Sequence, residues 1–255
     1  MRIVLACMDR RMNEILEREY GNAETVIVRN AGADVEGLRR TMQKLVEEND
    51  VTEICIVPHT DCGAMKAVVL KLKDNDPRMD DETFAALVGQ FKAQYGKGNI
   101  KDNADAERIN YDLQCRHAED LFKGTDVTSE LVELHAGAHH GENAMLAMKP
   151  CGAGEYGSAF KAADKERDRC YVVQASFDDE MVRDVKLGIQ VVGIRELFFV
   201  APSKDRKDTD DAKRRKDAIM AALKPRLSQE EFGVVERAKV VSVERNADAA
   251  RLRNR

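Results

Sequence analysis

Short apolar runs alternate along this chain with longer segments whose apolar positions recur every three to four residues. Residues 2–6 (RIVLA), 25–29 (TVIVR) and 53–58 (EICIVP) are brief and rich in Val and Ile, a pattern that predicts buried strands. Between them, residues 13–20 carry Ile15 and Leu16 among helix formers and stop at Gly21. Residues 34–48 put Val35, Leu38, Met42, Leu45 and Val46 on one helical face, and residues 64–72 read as helix again. Strands alternating with helices at this spacing predict an α/β fold with a mainly parallel central sheet flanked by helices.

Residues 73–103 are polar and read as loop and peripheral helix. Residues 106–123 predict an amphipathic helix with Ile109, Leu113 and Leu121 inward, and 131–136 (LVELHA) a fourth core strand. A Gly-rich stretch at 150–157 suggests a boundary, dividing the chain into residues 1–149 and an α/β extension, 150–255. In the extension, 171–175 and 196–201 read as strands around a helix at 179–190. The dense mixed-charge run 204–217 reads as a solvated helix face, 240–243 as a last strand, and the polar tail as frayed. The extension resembles a degenerate repeat in two competing registers. YVVQASFDDEM aligns with RIVLACMDRRM, and ELFFVAPSKD with EICIVPHTDC. In neither does the second half restore metal-type residues, so the extension is expected to hold no metal.

Bulk properties narrow the function. The chain has 255 residues, 43% of them hydrophobic, enough for a real core. Charged residues are abundant but nearly cancel, to −5. Nucleic acid is therefore not expected as a partner, since phosphate binding needs a concentrated positive surface. No apolar run reaches membrane-span length, and the N-terminus does not read as a signal peptide, so no membrane association and a cytoplasmic location are expected. In that compartment six cysteines read as free thiols or metal thiolates rather than disulfides.

Three polar clusters follow the three predicted strands: Cys7-Met8-Asp9-Arg10-Arg11, Arg29-Asn30-Ala31-Gly32 and His59-Thr60-Asp61-Cys62-Gly63. In open α/β sheets, sites form beyond the carboxyl ends of the strands, so the clusters should converge. Two thiolates and one imidazole suit zinc and leave a fourth position open, as catalytic sites do. Cys7, His59 and Cys62 are thus the candidate ligands. Asp9 and Arg11 flank one turn, where a guanidinium fork can hold a carboxylate in two-point contact. Gly32 and Gly63 allow close backbone approach, and Arg29 and Asn30 read as braces. His117 and His135 read as structural. His139 and His140 could carry protons, although surface positions are the simpler reading.

The segments CMDRR, VIVRNAGADV and IVPHTDCGAM resemble the three signature segments of β-class carbonic anhydrases. The resemblance runs well from residue 1 to about 72, weakly to 136, and does not extend past about 150. It implies a β-carbonic-anhydrase-like fold, one zinc per chain on Cys7, His59 and Cys62, and Asp9 with Arg11 as a catalytic dyad. It further implies reversible hydration of carbon dioxide to bicarbonate by zinc-bound hydroxide, in a homodimer or larger homo-oligomer. Arg10 stands where many members carry Ser. Two alternatives remain open at this point: hydrolysis of carbon disulfide or carbonyl sulfide on the same site, and a non-catalytic zinc-containing binding or scaffold protein.

Overall fold

Ile3, Val4, Leu5 and Ala6 are all fully buried, so both faces of strand β1 (Arg2–Cys7) are covered. A strand without a polar face needs helices on both sides, the situation of a parallel sheet. A computed structural model describes residues 1–22, 24–76, 82–134 and 143–244 and has this arrangement. Helix α1 (Met12–Tyr20) leads to β2 (Thr25–Asn30), α2 (Arg39–Glu48) to β3 (Glu53–Val57), and α3 (Gly63–Asp74), α4 (Glu82–Gly96) and α5 (Asn103–Leu121) to β4 (Asp126–Ser129). These strands lie parallel in the order β4-β3-β1-β2, with Cys7 opposite Asn30 and Ala6 opposite Val57.

A second parallel sheet follows. It is built from β5 (Asn143–Met148), β7 (Cys170–Gln174), β8 (Ile194–Ala201) and β9 (Lys239–Ser242), in the order β7-β5-β8-β9. A two-residue strand, β6 (Cys151–Gly152), reaches back to pair antiparallel with β2. Helices α6 (Ala153–Ala163), α7 (Asp178–Leu187), α8 (Arg206–Leu223) and α9 (Gln229–Glu236) cover this sheet, and α7 runs on into a π-helical turn at Gly188–Val192. In chain order, the first four strands and the four of the second sheet follow one pattern, fourth-third-first-second. That order sets β8 opposite β3, as in the ELFFVAPSKD register, and β7 opposite β2 rather than β1. Two apolar clusters join the sheets: Leu5 and Val28 share one with Met145, Val173 and Phe199, and Val4 and Ile27 share the other with Leu146, Val172 and Phe198.

Several elements differ from the sequence reading. In 131–134 only Val132 makes a bridge, to His59; residues 135–142, with His135, His139 and His140, lie outside the described residues. The edge strand β4 (DVTS) was masked by its polar composition, and β5 (NAMLAM) by its lack of β-branched residues. The segment expected as loop and peripheral helix contains the 15-residue α4, which buries Phe84, Leu87, Val88 and Phe91. The Gly-rich stretch from 150 starts α6, where Tyr156, Ala159 and Phe160 supply a buried face despite Gly154 and Gly157. Among the described residues no helix is long and apolar enough to cross a membrane.

Candidate metal centre

The parallel registers bring the three clusters together. Cys7 closes β1, the Arg29–Gly32 segment leaves the adjacent β2, and His59 and Cys62 sit on the turn from β3 into α3. All three candidate ligands are buried, and their ligating atoms lie within 4.8 Å of one another, a group that could hold a metal ion. The Cys7 and Cys62 sulfurs are 3.9 Å apart. Two sulfurs bound tetrahedrally at about 2.3 Å would be roughly 3.8 Å apart, so the spacing fits zinc without rearrangement.

The histidine is oriented for the same purpose. Its Nδ1 lies 2.7 Å from the Thr60 carbonyl. A carbonyl can only accept, so Nδ1 carries the hydrogen and Nε2 keeps a free lone pair. That Nε2 is buried without a hydrogen-bond partner. A buried polar atom left unpaired costs free energy, and a metal ion between the sulfurs would supply its partner.

Backbone geometry tightens the pocket. Gly32 has φ +79, a left-handed conformation that side chains resist, and its N–H points at the Cys7 sulfur from 3.4 Å. The Asn110 side chain donates to the Gly32 carbonyl at 2.8 Å. Cys62 caps the N-terminus of α3, and its own N–H donates to Glu107 at 2.7 Å. Arg29, fully buried, donates to the carbonyls of Cys7 (2.9 and 2.7 Å) and Asp9 (2.6 Å). Asn30 ties off the next turn through Asp34, donating at 2.7 Å and accepting at 2.8 Å. Both residues brace the loop, as their sequence context suggested.

Asp9 and Arg11 are paired. Arg11 Nε donates to Asp9 Oδ1 at 3.0 Å, Nη2 to Oδ2 at 2.8 Å, and the Arg11 backbone N–H to Oδ1 at 2.9 Å. The same guanidinium reaches the Asp61 carboxylate at 2.7 Å and its carbonyl at 2.9 Å. Asp61 holds φ +55, unusual for a residue with a side chain, and its other carboxylate oxygen accepts from Lys66. Asp9 Oδ2 lies 3.9 Å from His59 Nε2, at the edge of the ligand group.

The protonation pattern follows from these contacts. The Cys62 hydrogen bond outweighs burial at Cys7 and, with His59 nearby, holds its thiol well below the usual range. Cys62, donating to Cys7 and buried, is pushed well above it. Burial would raise the Asp9 carboxyl, but hydrogen bonds from Arg11 and the nearby His59 outweigh it and hold the group below its ordinary value. Burial pulls His59 down, yet Cys7 and Asp9 leave it above its ordinary value.

Above the group lies a cavity of about 480 Å³, bordered by Cys7, Asp9 and Arg11 on one side and by Leu70, Tyr171, Val191 and Val192 among its apolar residues. A wider cleft of about 630 Å³ between α7 and α8 contains no comparable ligand group. The residues the sequence reading missed are Asp61, Glu107, Asn110 and the wall from the second half. Asp61 stood inside the His59–Cys62 segment, next to the predicted ligands; the others carry no local signal, since only tertiary folding brings them here.

An open α/β sheet with a buried Cys-His-Cys group at its strand ends, beside a cavity, defines a protein with a site that could hold a metal ion. The carbonic anhydrase family model matches residues 2–135, and the chain belongs to that family, in its β class. No curated protein matches the chain.

Proposed function

We propose that the chain catalyses the reversible hydration of carbon dioxide to bicarbonate and a proton, with one zinc held by Cys7, His59 and Cys62. The orphaned, buried His59 Nε2, facing two thiols beneath a cavity, carries this reading. Zinc, when bound, acts as a Lewis acid that makes water a nucleophile near neutral pH. The chain's own residues do the rest. Asp9 Oδ2 would accept a hydrogen bond from the attacking oxygen and so aim that oxygen's free lone pair at the substrate carbon, the released proton passing through the open cavity to solvent buffer. Arg11 keeps Asp9 anionic and holds it away from the ligand group, and Asp61 steadies Arg11 from behind. The Gly32 N–H stabilises charge on the Cys7 sulfur. Leu70, Tyr171, Val191 and Val192 give the cavity an apolar part that suits a substrate without charge.

Carbon dioxide and bicarbonate are the small-molecule partners, with no nucleic acid and no membrane, in a cytoplasmic homodimer or larger homo-oligomer. Stopped-flow hydration of carbon dioxide by the zinc-loaded protein tests the reading, with carbon disulfide hydrolysis run alongside. Rapid hydration that disappears in Cys62→Ser is the expected result. Zinc-replete protein that hydrolyses carbon disulfide and leaves carbon dioxide untouched would transfer the site to the other substrate.

A further inference from the structure

Three independent observations tie the second half of the chain to the metal centre. The first is the cavity itself. Besides Cys7 and Asp9, its lining includes residues of the second sheet and its helices: Asn143 at the start of β5, Tyr171 in β7, and Val191 with Val192 in the π-helical turn.

The second is a set of grips on the site loops. The Val172 N–H donates to the Met8 carbonyl at 3.1 Å, between Cys7 and Asp9. Arg10 donates to the Asp168 carbonyl. Asn13 donates to the Cys170 carbonyl at 2.8 Å and accepts from Tyr156 at 2.7 Å, and Arg29 reaches the same tyrosine. The Ala31 N–H donates to Asp184 at 3.3 Å, next to Gly32. Arg183, buried beside it, bridges Asp184 (3.1 Å) and Asp34 (2.5 Å). A buried charge trio of this kind is costly unless its geometry is held, and here it clamps α7 to the loop that supplies a donor to Cys7.

The third is local geometry. Helix α7 does not end as an α-helix but widens into a π turn that stops at Gly193, φ +79. Such turns change the direction of side chains and cluster at functional sites. This one places two successive half-buried valines on the cavity rim. Yet the second sheet, with the strand order of the first, ends at Met148, Gln174 and Ala201, and among the described residues it gathers no ligand group of its own.

We propose that the second half is a working part of the first half's metal site: it supplies part of the cavity wall, and Val191 and Val192 are specificity-determining residues that give this wall an apolar patch for an uncharged substrate. The proposal rests on the carbon dioxide reading for the identity of the substrate, but not for the existence of the wall.

Val191→Glu and Val192→Glu test it, with Lys207→Gln as a control that changes net charge equally at an exposed residue outside the cavity. Zinc content, calorimetric affinity for azide and hydration kinetics are measured for each. Both Glu variants keep zinc, bind azide at least tenfold more weakly through like-charge repulsion, and lose at least tenfold in kcat/KM; the control matches the parent. The double change Val191→Ala with Val192→Ala covers the case in which Glu disturbs folding: it raises KM for carbon dioxide at least threefold with kcat nearly unchanged. Parental azide affinity in zinc-replete Glu variants, or an unchanged KM in the Ala pair, overturns the proposal. Because azide binding is read apart from turnover, a parent that binds zinc and azide but hydrates nothing would sink the functional reading and leave the wall standing.

Discussion

Replacing Arg11 with Ala removes the group that fixes Asp9. The Arg11 side chain contacts Asp9 through Nε and Nη2 and is anchored on Asp61, while Asp9 is only 6% exposed. Taking away one partner of a buried ion pair costs about 3–5 kcal/mol, because the other charge is left uncompensated. Arg11 keeps 16% of its side chain exposed, so the lower figure applies, about 3 kcal/mol. Asp9 can relieve that cost by taking a proton or by turning toward the ligand group, whose His59 Nε2 is 3.9 Å away. Either response removes the oriented acceptor. A penalty of about 3 kcal/mol corresponds to roughly a hundredfold drop in the productive arrangement. Arg11→Ala should therefore keep its zinc and lose at least about a hundredfold in carbon dioxide hydration, read by stopped flow beside metal analysis. Hydration within about fivefold of the parent, with zinc retained, would reduce the dyad to a structural ion pair.

Cys62→Ser should lose most of the bound zinc, since a hydroxyl is a far poorer ligand than a thiolate; full retention in Cys62→Ser, Cys7→Ser and His59→Ala alike would remove the ligand assignment. The parent should hold about one zinc per chain, and a second stoichiometric zinc carried by residues beyond 150 would contradict the reading of that half as metal-free. Zinc uptake near pH 7.5 should release protons, because Cys62 holds its own well above the usual thiol range and must give it up to bind. Calorimetry in two buffers of different ionisation enthalpy checks this, and identical heats would contradict it. Arg183→Met should destabilise the fold by about 3–5 kcal/mol by stranding Asp34 and Asp184; a denaturant midpoint equal to the parent's would show that the trio does not clamp the halves.

The candidate site was largely legible because its parts are local. Cys7, His59 and Cys62 each follow a short run of β-branched residues, and a parallel sheet forces such strand ends together. The α/β class was legible for the same reason. What escaped was structure whose cause is not local. Strand β5 has Met and Ala where propensity wants Val and Ile, and it forms because both its faces are covered: Ala144 through Met148 are buried. Helix α6 starts in a glycine-rich stretch and is held by the packing of Tyr156 and Phe160, whose rings meet edge-on at 5.3 Å. The apolar spacing of Phe84, Leu87, Val88 and Phe91 was present in the sequence and marks α4, but the polar, Gly-containing surroundings obscured it. Tyr171 lies in a predicted strand, and Val191 and Val192 lie just past a predicted helix with no local signal of a site; their place on the cavity depends on the tertiary fold. The two repeat registers could not be separated by residue likeness, whereas strand order matches only one of them.

The most direct test of the account is the initial rate of carbon dioxide hydration by purified, zinc-loaded parent protein, before and after the metal is removed with a chelator and restored. Hydration well above the uncatalysed rate, abolished without zinc and recovered on adding back about one equivalent, is the expected result. Protein that holds its zinc on Cys7, His59 and Cys62 and yet hydrates carbon dioxide no faster than buffer would contradict it.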